Sequence, residues 1–254
     1  MWKKNRPVTA IIPARHGSSR LRAKPLISIG ACSLIQHVYE NTAKSNLFDR
    51  VIIATDHEDI FDLARSFGAE VVMTRLDHRS GTDRCAEVAR DFEDDQIVVN
   101  VQGDEIVLNW DGMEQLFDLM FEGFFEVGTL VSPIVLDREL FSSHTVKVVF
   151  DKLGRALYFS RSAIPFARDM KESEWINSFS YYRHIGVYAY TNRVLQDLAG
   201  LSPGALEEAE KLEQLRWMEH GYDIGVVESA LWDSIGVDTE EELKRARTEL
   251  DSAR

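Results

Sequence analysis

Short apolar runs alternate with amphipathic segments along most of the chain, and this alternation limits the possible folds more than any other feature. The runs predict strands at 8–13, 51–54, 70–73 and 97–101. The amphipathic segments predict helices at 33–44, after a cap at Asp56, and at 81–92. Such alternation is typical of α/β proteins, so we predict a Rossmann-like, mostly parallel sheet with helices on both faces.

The middle of the chain departs from this alternation. Strands are predicted at 129–134, 147–150, 156–159 and 186–190, without a full helix between each pair. We therefore predict one domain spanning 1–254 with an inserted antiparallel portion at about 129–192. A polar loop is predicted at 167–180. The α/β pattern then returns with a helix at 206–220, a strand at 224–228 and a last helix from Thr239.

Charge and cysteine content exclude several classes of protein. The formal net charge is -13 over 254 residues, which argues against a non-specific nucleic-acid binder. Cys32 and Cys85 show no partner spacing, as expected of reduced thiols in a cytosolic protein. The run after the basic N-terminal stretch is too short for a signal peptide core, and no segment reaches membrane-helix length. We therefore predict a cytoplasmic protein with no membrane partner.

The first predicted strand leads into a basic loop between Pro13 and Pro25. Four cations fall within ten residues, interleaved with Gly17 and two serines. Open α/β sheets bind ligands beyond the carboxyl ends of their strands, so this loop predicts an anion site. Neither GxGxxG nor GxxxxGK[ST] fits, which excludes a dinucleotide fingerprint and a P-loop. A solvated basic loop would have the same charge count, so these residues alone do not name the anion.

A wider set of motifs resembles the CMP-sugar-acid synthetases, and among them the 3-deoxy-manno-octulosonate (Kdo) cytidylyltransferases. The motifs follow the family's order and approximate spacing over nearly the whole chain: IIPARHGSSRL, KPL, ATDHEDI, VVMTRLDHRSGTDR, VNVQGDE, VKVVFD, ALYFSRSAIPF, RHIGVYAY, EKLEQLR and GVDT. The resemblance implies a nucleotide-diphospho-sugar transferase fold. It also implies transfer of CMP from CTP to the anomeric hydroxyl of Kdo for lipopolysaccharide synthesis, with Mg²⁺ as cofactor and a homodimer as the assembly.

The resemblance also implies which residues bind CTP. These are Ala14, Arg15, Ser18, Arg20, Lys24, Arg75, Ser80, Gly81 and Gln102. Among them Arg15 and Lys24 are implied to act on the phosphates during catalysis. From the residues alone, Ser80 with Asp83 is equally well explained as the start of a helix.

Two aspartates stand where predicted strands meet loops. Asp104 follows the buried strand 97–101, and Asp238 precedes a helix that begins with Thr239 and Glu242 as a capping box. Each aspartate alone would be interpreted as a turn or cap residue. The resemblance implies that both are catalytic and bind Mg²⁺, which prefers oxygen ligands.

An acidic sugar needs a pocket with cations and hydrogen-bonding groups, because its carboxylate lies next to the anomeric carbon. Arg161 and His184 fit this requirement. The resemblance adds Tyr188, Glu213 and Gln214 as sugar-binding residues. On the residues alone, His184 is more often structural, and Gln214 belongs to a polar helix face.

The chain departs from the family pattern at three places: Arg22-Ala23 replace Pro-Gly, Ile106 replaces Pro, and Gly30-Ala31-Cys32 replace Gly-Lys-Pro. Alanine disfavours positive φ, so we expect a changed backbone path at residues 22 and 23. The run Asp233-Ser234-Ile235 resembles relatives that use 8-amino-3,8-dideoxy-manno-octulosonate. That amino sugar acid is therefore an alternative substrate.

Two other functions fit the sequence less well. A non-catalytic homologue that binds sugar nucleotides is disfavoured by the presence of both aspartates, Asp104 and Asp238, and of the basic loop. A Rossmann dehydrogenase is excluded because the glycine fingerprint is missing.

Overall fold

The computed structural model describes residues 6–17, 21, 23–237 and 239–252. It contains two compact units. The first unit comprises Met1–Trp110, Thr191–Ala199 and Asp233–Arg254, and the second comprises Asp111–Tyr190 and Gly200–Trp232. The prediction of a single domain with an insertion at 129–192 stays a prediction.

The strands, in chain order, are β1 Val8–Ala14, β2 Ser28–Ile29, β3 Cys32–Ser33, β4 Arg50–Thr55, β5 Glu70–Met73, β6 Ile97–Asn100, β7 Glu105–Asn109, β8 Val127–Pro133, β9 Lys147–Phe150, β10 Ala156–Ser160, β11 Tyr182–Thr191, β12 Ile224–Glu228 and β13 Asp233–Gly236. The α-helices are α1 Leu34–Lys44, α2 Glu58–Ser66, α3 Gly81–Val88, α4 Met113–Glu122, α5 Asp137–Leu140, α6 Trp175–Ser178, α7 Asn192–Ala199, α8 Ala205–Glu210, α9 Gln214–Glu219 and α10 Glu240–Ser252. Single 3₁₀ turns lie at Lys24–Leu26 and Glu172–Glu174.

The first unit is built on parallel strands in the order β6-β1-β4-β5. Every residue of β6 is buried, and in β1 every residue except Pro13 is buried. Burial of successive side chains requires cover on both faces of the sheet, which explains the unbroken apolar runs in the sequence. The register pairs Ala14 at the end of β1 with Thr55 at the end of β4.

The second unit is mainly antiparallel. Strand β8 pairs antiparallel with β11 and parallel with β12, and β9 pairs antiparallel with both β10 and β11. The predicted fold class is therefore confirmed as an α/β protein with a mostly parallel sheet and additional antiparallel strands. Three predicted strands have the observed bounds: Glu70–Met73, Lys147–Phe150 and Ile224–Glu228.

Helix capping follows the sequence at both ends of the chain. The Ser33 hydroxyl accepts a hydrogen bond from the Gln36 amide, although the Gln36 side chain turns to Glu40 and does not complete a capping box. Before α10, Thr239 and Glu242 exchange both bonds of the predicted box, at 3.0 and 3.2 Å. Among the described residues, no helix combines the length and the apolar character needed to cross a membrane.

Three predicted elements are wrong. The cap of α2 is the His57 side chain, because the carboxylate of Asp56 is used elsewhere. The helix predicted at 206–220 is divided into α8 and α9 by Lys211, whose φ is 54°. The loop predicted at 167–180 contains the short helix α6, whose Trp175 packs into a small apolar cluster with Ile134.

Candidate active site

The carboxyl ends of β1 and β6 are neighbours, and each continues into a predicted site segment. Lys24, in the loop after β1, donates a hydrogen bond from Nζ to Oδ2 of Asp104, which follows β6, at 2.6 Å. The Lys24 side chain is 8% exposed and that of Asp104 is 42% exposed. A predicted phosphate ligand and a predicted metal ligand therefore form a direct ion pair at the rim of the sheet.

Glycine at position 103 is required by the way these two segments pack. A Cβ atom on Gly103 would lie 2.4 Å from the backbone oxygen of Pro13, a distance that no side chain can tolerate. The close approach of the two backbones sets Asp104 beside the loop that follows β1. This packing explains the glycine of the Gln102-Gly103-Asp104 segment without any reference to catalysis.

A third segment reaches Asp104 from the last part of the first unit. Strand β13 pairs antiparallel with β7, so that Gly236 lies opposite Glu105. Beyond it, the Val237 amide donates to the backbone oxygen of Asp104 at 3.0 Å. The predicted ligand Asp238 is the next residue and lies outside the described residues.

The basic loop after β1 is described in part. Ala14 is buried, Arg15 is exposed, and the predicted CTP ligands Ser18 and Arg20 lie outside the described residues, as does Arg22. Ala23 has φ 52° and ψ 34°, which is the left-handed conformation. Ala23 thus adopts the positive φ that a glycine would favour, at a steric cost, and the expected change of path at residues 22 and 23 stays a prediction.

The segment 74–84, which carries the predicted CTP ligands Arg75, Ser80 and Gly81, is stabilised by an ion pair that was not predicted from the sequence. Arg84 donates to Asp56 Oδ2 at 2.8 Å and also to the Thr74 hydroxyl, with both charged side chains largely buried. The predicted CTP ligand Arg75 is exposed and pairs with Asp77 at 2.5 Å. That hydrogen bond raises the pKa of Arg75 and lowers the pKa of Asp77.

The remaining nucleotide predictions lie on α3 and after β6. The Ser80 hydroxyl caps α3 by accepting from the Asp83 amide at 3.1 Å, so the helix-start explanation of this pair is correct. Gly81 is half-buried, and a Cβ there would lie 3.1 Å from Pro13 Cγ. Gln102 is half-buried and lies two residues before Asp104. A role for these residues toward CTP stays a prediction.

In the second unit, His184 provides a neutral ring and no cation. Burial lowers its pKa to about 3. Its Nε2 lies 3.0 Å from Thr129 Oγ1, and that hydroxyl donates its single proton to the Val187 carbonyl at 2.7 Å. The hydroxyl must therefore accept from His184 Nε2–H, which leaves Nδ1 as a hydrogen-bond acceptor.

Next to this histidine and on α9 lie buried donors that have no partner among the described residues. Tyr188, whose ring centroid is 5.1 Å from that of His184, has a buried hydroxyl with no partner among the described residues. The same holds for Gln214 Nε2 and Trp217 Nε1. Desolvation, and secondarily the charge of Glu213, raises the pKa of Tyr188, so its hydroxyl stays protonated. Trp217 was not singled out from the sequence, since a buried tryptophan on a helix is usually only a core residue.

Arg161 is held by the backbone of its own unit. Its guanidinium donates to the backbone oxygens of Glu210 at 2.7 Å and Ser143 at 2.9 Å. The Glu210 carboxylate in turn accepts from the Ser160 hydroxyl and the Arg161 amide. These bonds fix the start of the segment that carries Glu213 and Gln214.

Lys147 belongs to the same hydrogen-bond network as Arg161 and Glu210, and it was not predicted from the sequence. Its side chain is fully buried, and Nζ donates to the backbone oxygens of Ser142, Thr145 and Arg161 at 2.8, 2.6 and 2.5 Å. Burial lowers the pKa of Lys147, while the negative charge of Glu210 opposes that shift. A lysine inside an otherwise β-rich apolar run was the signal that could have found it.

Comparison with known proteins identifies the family of this chain. The family model described as "Cytidylyltransferase" matches residues 9–224. The chain is 47% identical over 240 residues to the 3-deoxy-manno-octulosonate cytidylyltransferase of Francisella tularensis subsp. novicida (strain U112), covering 93% of this chain and 96% of that relative. Identity is 43% over 240 residues to the protein of that name from Bacteroides thetaiotaomicron, with 93% and 95% covered.

A solved structure of CMP:2-keto-3-deoxy-manno-octonic acid synthetase in complex with CTP is also similar. It superposes with a TM-score of 0.88 at 39% identity, and the match covers 98% of this chain and 100% of that one. The chain therefore belongs to the cytidylyltransferase family of nucleotidyltransferases, in the branch of the 3-deoxy-manno-octulosonate cytidylyltransferases.

Proposed function

We propose that the protein transfers CMP from CTP to the anomeric hydroxyl of 3-deoxy-manno-octulosonate and releases pyrophosphate. The relatives described above are named for this reaction, and the similar structure contains CTP. These names favour Kdo over its 8-amino analogue. They also favour an enzyme over a sugar-nucleotide-binding homologue without activity.

The observation that carries the proposal is the Lys24–Asp104 ion pair at the carboxyl ends of β1 and β6. A lysine ammonium has three donors, so Lys24 can hold Asp104 with one of them and a phosphate oxygen with another. The exposed Arg15 adds a second cation to the same loop. This arrangement suits a ligand that carries both negative phosphates and a bound cation.

Magnesium fits the donor chemistry of this rim. Asp104 offers a half-exposed carboxylate of which Lys24 contacts one oxygen, and Mg²⁺ prefers such oxygen ligands while it keeps several waters. We propose Asp104 and Asp238 as its ligands. When bound, Mg²⁺ neutralises phosphate charge and polarises the attacked phosphorus.

The chain's own residues then position the reactants for an in-line displacement. Lys24 and Arg15 bind the phosphate oxygens and stabilise the charge that develops on the leaving pyrophosphate. Arg75, Ser80, Gly81 and Gln102 are proposed to contact the nucleoside, together with Ala14, Ser18 and Arg20 on the loop. The sugar oxygen attacks the α-phosphorus while the bond to the β-phosphate oxygen breaks. Positioning and electrostatics supply most of the acceleration in reactions of this type.

The proposed sugar site uses neutral groups for most of its hydrogen bonds. Tyr188 Oη and Gln214 Nε2 are buried donors without a partner among the described residues, and a buried donor of this kind is costly unless a ligand or water accepts from it. His184 Nδ1 accepts from a sugar hydroxyl. Arg161 and Glu213 complete the proposed set, with Arg161 carrying the positive charge for the sugar carboxylate.

Assembly and location follow the family expectation. We propose a homodimer, a cytoplasmic location and a role in lipopolysaccharide synthesis. Light scattering on the purified chain tests the assembly, since a monomer at micromolar concentration would contradict it.

The decisive experiment is a pyrophosphate-release assay on the purified chain with CTP, Kdo and Mg²⁺. We expect stoichiometric pyrophosphate and CMP-Kdo, and no release when Kdo is left out. A parallel arm replaces Kdo with 8-amino-3,8-dideoxy-manno-octulosonate, and a higher kcat/KM in that arm would overturn the choice of sugar. CTP binding without any pyrophosphate release would instead identify a non-catalytic homologue.

A further inference from the structure

Three side chains of the first unit that can bind a metal lie close to one another, and Asp104 is not among them. One ligand atom from each of His16, His57 and Asp59 lies within 4.8 Å of the other two. The imidazole rings of His16 and His57 are stacked, with centroids 3.9 Å apart and planes at 12°. All three side chains are open to water, because the His57 side chain is 35% exposed and that of Asp59 is 70% exposed, and His16 is half-buried.

Strand register places the two histidines side by side. Strands β1 and β4 are adjacent and parallel, and Ala14 is the partner of Thr55. His16 and His57 each follow two residues after these partners, so both emerge at the same rim of the sheet. The pairing of the buried strands β1 and β4 therefore brings the two histidines together.

A buried ion pair fixes the backbone beneath the cluster. The His16 amide donates to Asp56 Oδ1 at 3.3 Å, and Asp56 Oδ2 accepts from Arg84 at 2.8 Å. Asp56 is also the residue directly before His57. One carboxylate therefore holds both histidine-bearing segments, and Arg84, 3% exposed, holds that carboxylate.

The charge of the cluster suits a cation better than an anion. The cluster offers the imidazole nitrogens and the Asp59 carboxylate as ligands for a cation. A phosphate group brought to the same place would be repelled by Asp59. Arg84 does not change this balance, because its charge is already neutralised by Asp56.

We propose that His16, His57 and Asp59 form a binding site for a borderline divalent transition metal ion of the Zn²⁺, Ni²⁺ or Co²⁺ class. Imidazole nitrogen suits these ions, whereas Mg²⁺ prefers all-oxygen ligands and competes poorly here. Three protein ligands leave at least one coordination position to water. The site uses none of the residues proposed to bind magnesium, CTP or the sugar and does not depend on the proposed reaction.

Binding has a structural signature at the start of α2. His57 Nδ1 accepts the Asp59 amide at 3.2 Å and thereby caps the helix. A neutral imidazole has one unprotonated nitrogen, so coordination through either nitrogen ends this hydrogen bond. Metal binding at this site therefore releases the Asp59 amide.

The test titrates Zn²⁺ into the full chain in a Mg²⁺-containing buffer by calorimetry, with Co²⁺ absorption as a second readout. We expect one ion per chain with a micromolar or lower Kd. His16→Asn and His57→Asn should each weaken binding at least tenfold. Asparagine can still cap α2, so His57→Asn keeps the helix start intact. In wild-type protein, amide exchange at Asp59 should accelerate when Zn²⁺ is added.

Two control variants keep the proposal falsifiable. His144→Asn removes an exposed histidine of the second unit and should leave the Zn²⁺ affinity unchanged. His78→Asn removes the histidine paired with Glu87 and should also leave it unchanged. Wild-type affinity in His57→Asn would overturn the site, as would the absence of saturable binding to the wild-type chain. A loss of affinity in His78→Asn without a loss in His57→Asn would overturn it as well.

Discussion

The two units use buried positive charge in different ways. In the first unit, cations pair with carboxylates: Lys24 with Asp104 at 2.6 Å and Arg84 with Asp56 at 2.8 Å. Lys24 binds a carboxylate that is partly open to water, so it can also bind a second anion, such as a phosphate oxygen. The Lys24–Asp104 pair therefore suits a site whose partners change when a substrate enters.

In the second unit, Lys147 and Arg161 donate to backbone oxygens of their own unit. The fully buried Lys147 is therefore structural, because its carbonyl partners belong to the folded backbone and are not exchanged for a substrate, whereas the half-buried Arg161 keeps its proposed role toward the sugar carboxylate. The hydrogen-bonding groups near them, His184 and Tyr188, are neutral. The difference teaches that a buried cation marks a binding site only where its partner can be exchanged.

Asp104→Asn should produce the largest change, because it removes the charge that faces Lys24 and the proposed metal. We expect kcat to fall by about a thousandfold or more, with little change in melting temperature. The pyrophosphate-release assay measures the first quantity and calorimetry the second. The matched control is Asp62→Asn on the exposed face of α2, which should keep full activity. Near-normal turnover in Asp104→Asn would remove the metal assignment.

Substituting methionine for each buried lysine tests the comparison directly. Lys147→Met removes a charged donor from three backbone oxygens, of which that of Ser142 keeps the Thr145 amide as a donor, and should cost about 3 kcal/mol of unfolding free energy. Lys24→Met should cost about 1 kcal/mol or less, since Asp104 can be hydrated, yet it should abolish most activity. Urea unfolding and the release assay on both variants separate the two effects. An equal loss of stability in both would break the distinction between the units.

The low pKa of His184 predicts a dependence of stability on pH. Its folded-state pKa is about 3 and its unfolded value about 6.5, so the folded state binds fewer protons between these limits. Stability is therefore lost as the pH falls from 6.5 toward 3. Between pH 7.5 and 5 this contribution amounts to about 2 kcal/mol. Urea unfolding of wild type and His184→Gln should show that the variant lacks this part of the slope, and an equal slope would contradict a neutral histidine.

Ala23→Gly should give the smallest effect, and in the stabilising direction. Ala23 holds φ at 52°, and a glycine relieves the steric cost while adding freedom to the unfolded chain. These opposing terms leave an expected gain of about 1 kcal/mol or less in the free energy of unfolding. The melting temperature measures it. A decrease would mean that the alanine methyl group packs more favourably than its conformation costs.

Sequence patterns were sufficient for the parallel strands because burial on both faces produces an unbroken apolar run. They failed at Lys211, where a left-handed residue ends α8 although the apolar pattern continues. Tertiary bonds explain this break, since the backbone oxygens of Glu210 and Lys211 both accept from Arg161. Strands β7 and β13 were missed because their pairing joins short segments from distant parts of the sequence.

The site was predictable in outline. Lys24 and Asp104 each follow a buried strand, and parallel strands bring such positions to one rim. Their direct ion pair was not predictable, nor was the neutral state of His184. That state follows from burial, and Thr129, whose hydroxyl proton is already given to a carbonyl group, sets which ring nitrogen carries the proton. Long-range hydrogen bonding of this kind leaves no local signal in a sequence.

The pairing of β13 with β7 also has a consequence for how the protein is made. Ser234 donates to Glu105 at 2.5 Å across 129 positions of the chain, and Val237 donates to the backbone of Asp104. A ribosome delivers Asp104 long before these partners emerge. The nascent chain therefore carries an unfinished rim until Val237 has been made, and a product that stops short of β13 would lack the segment that bonds to the Asp104 backbone.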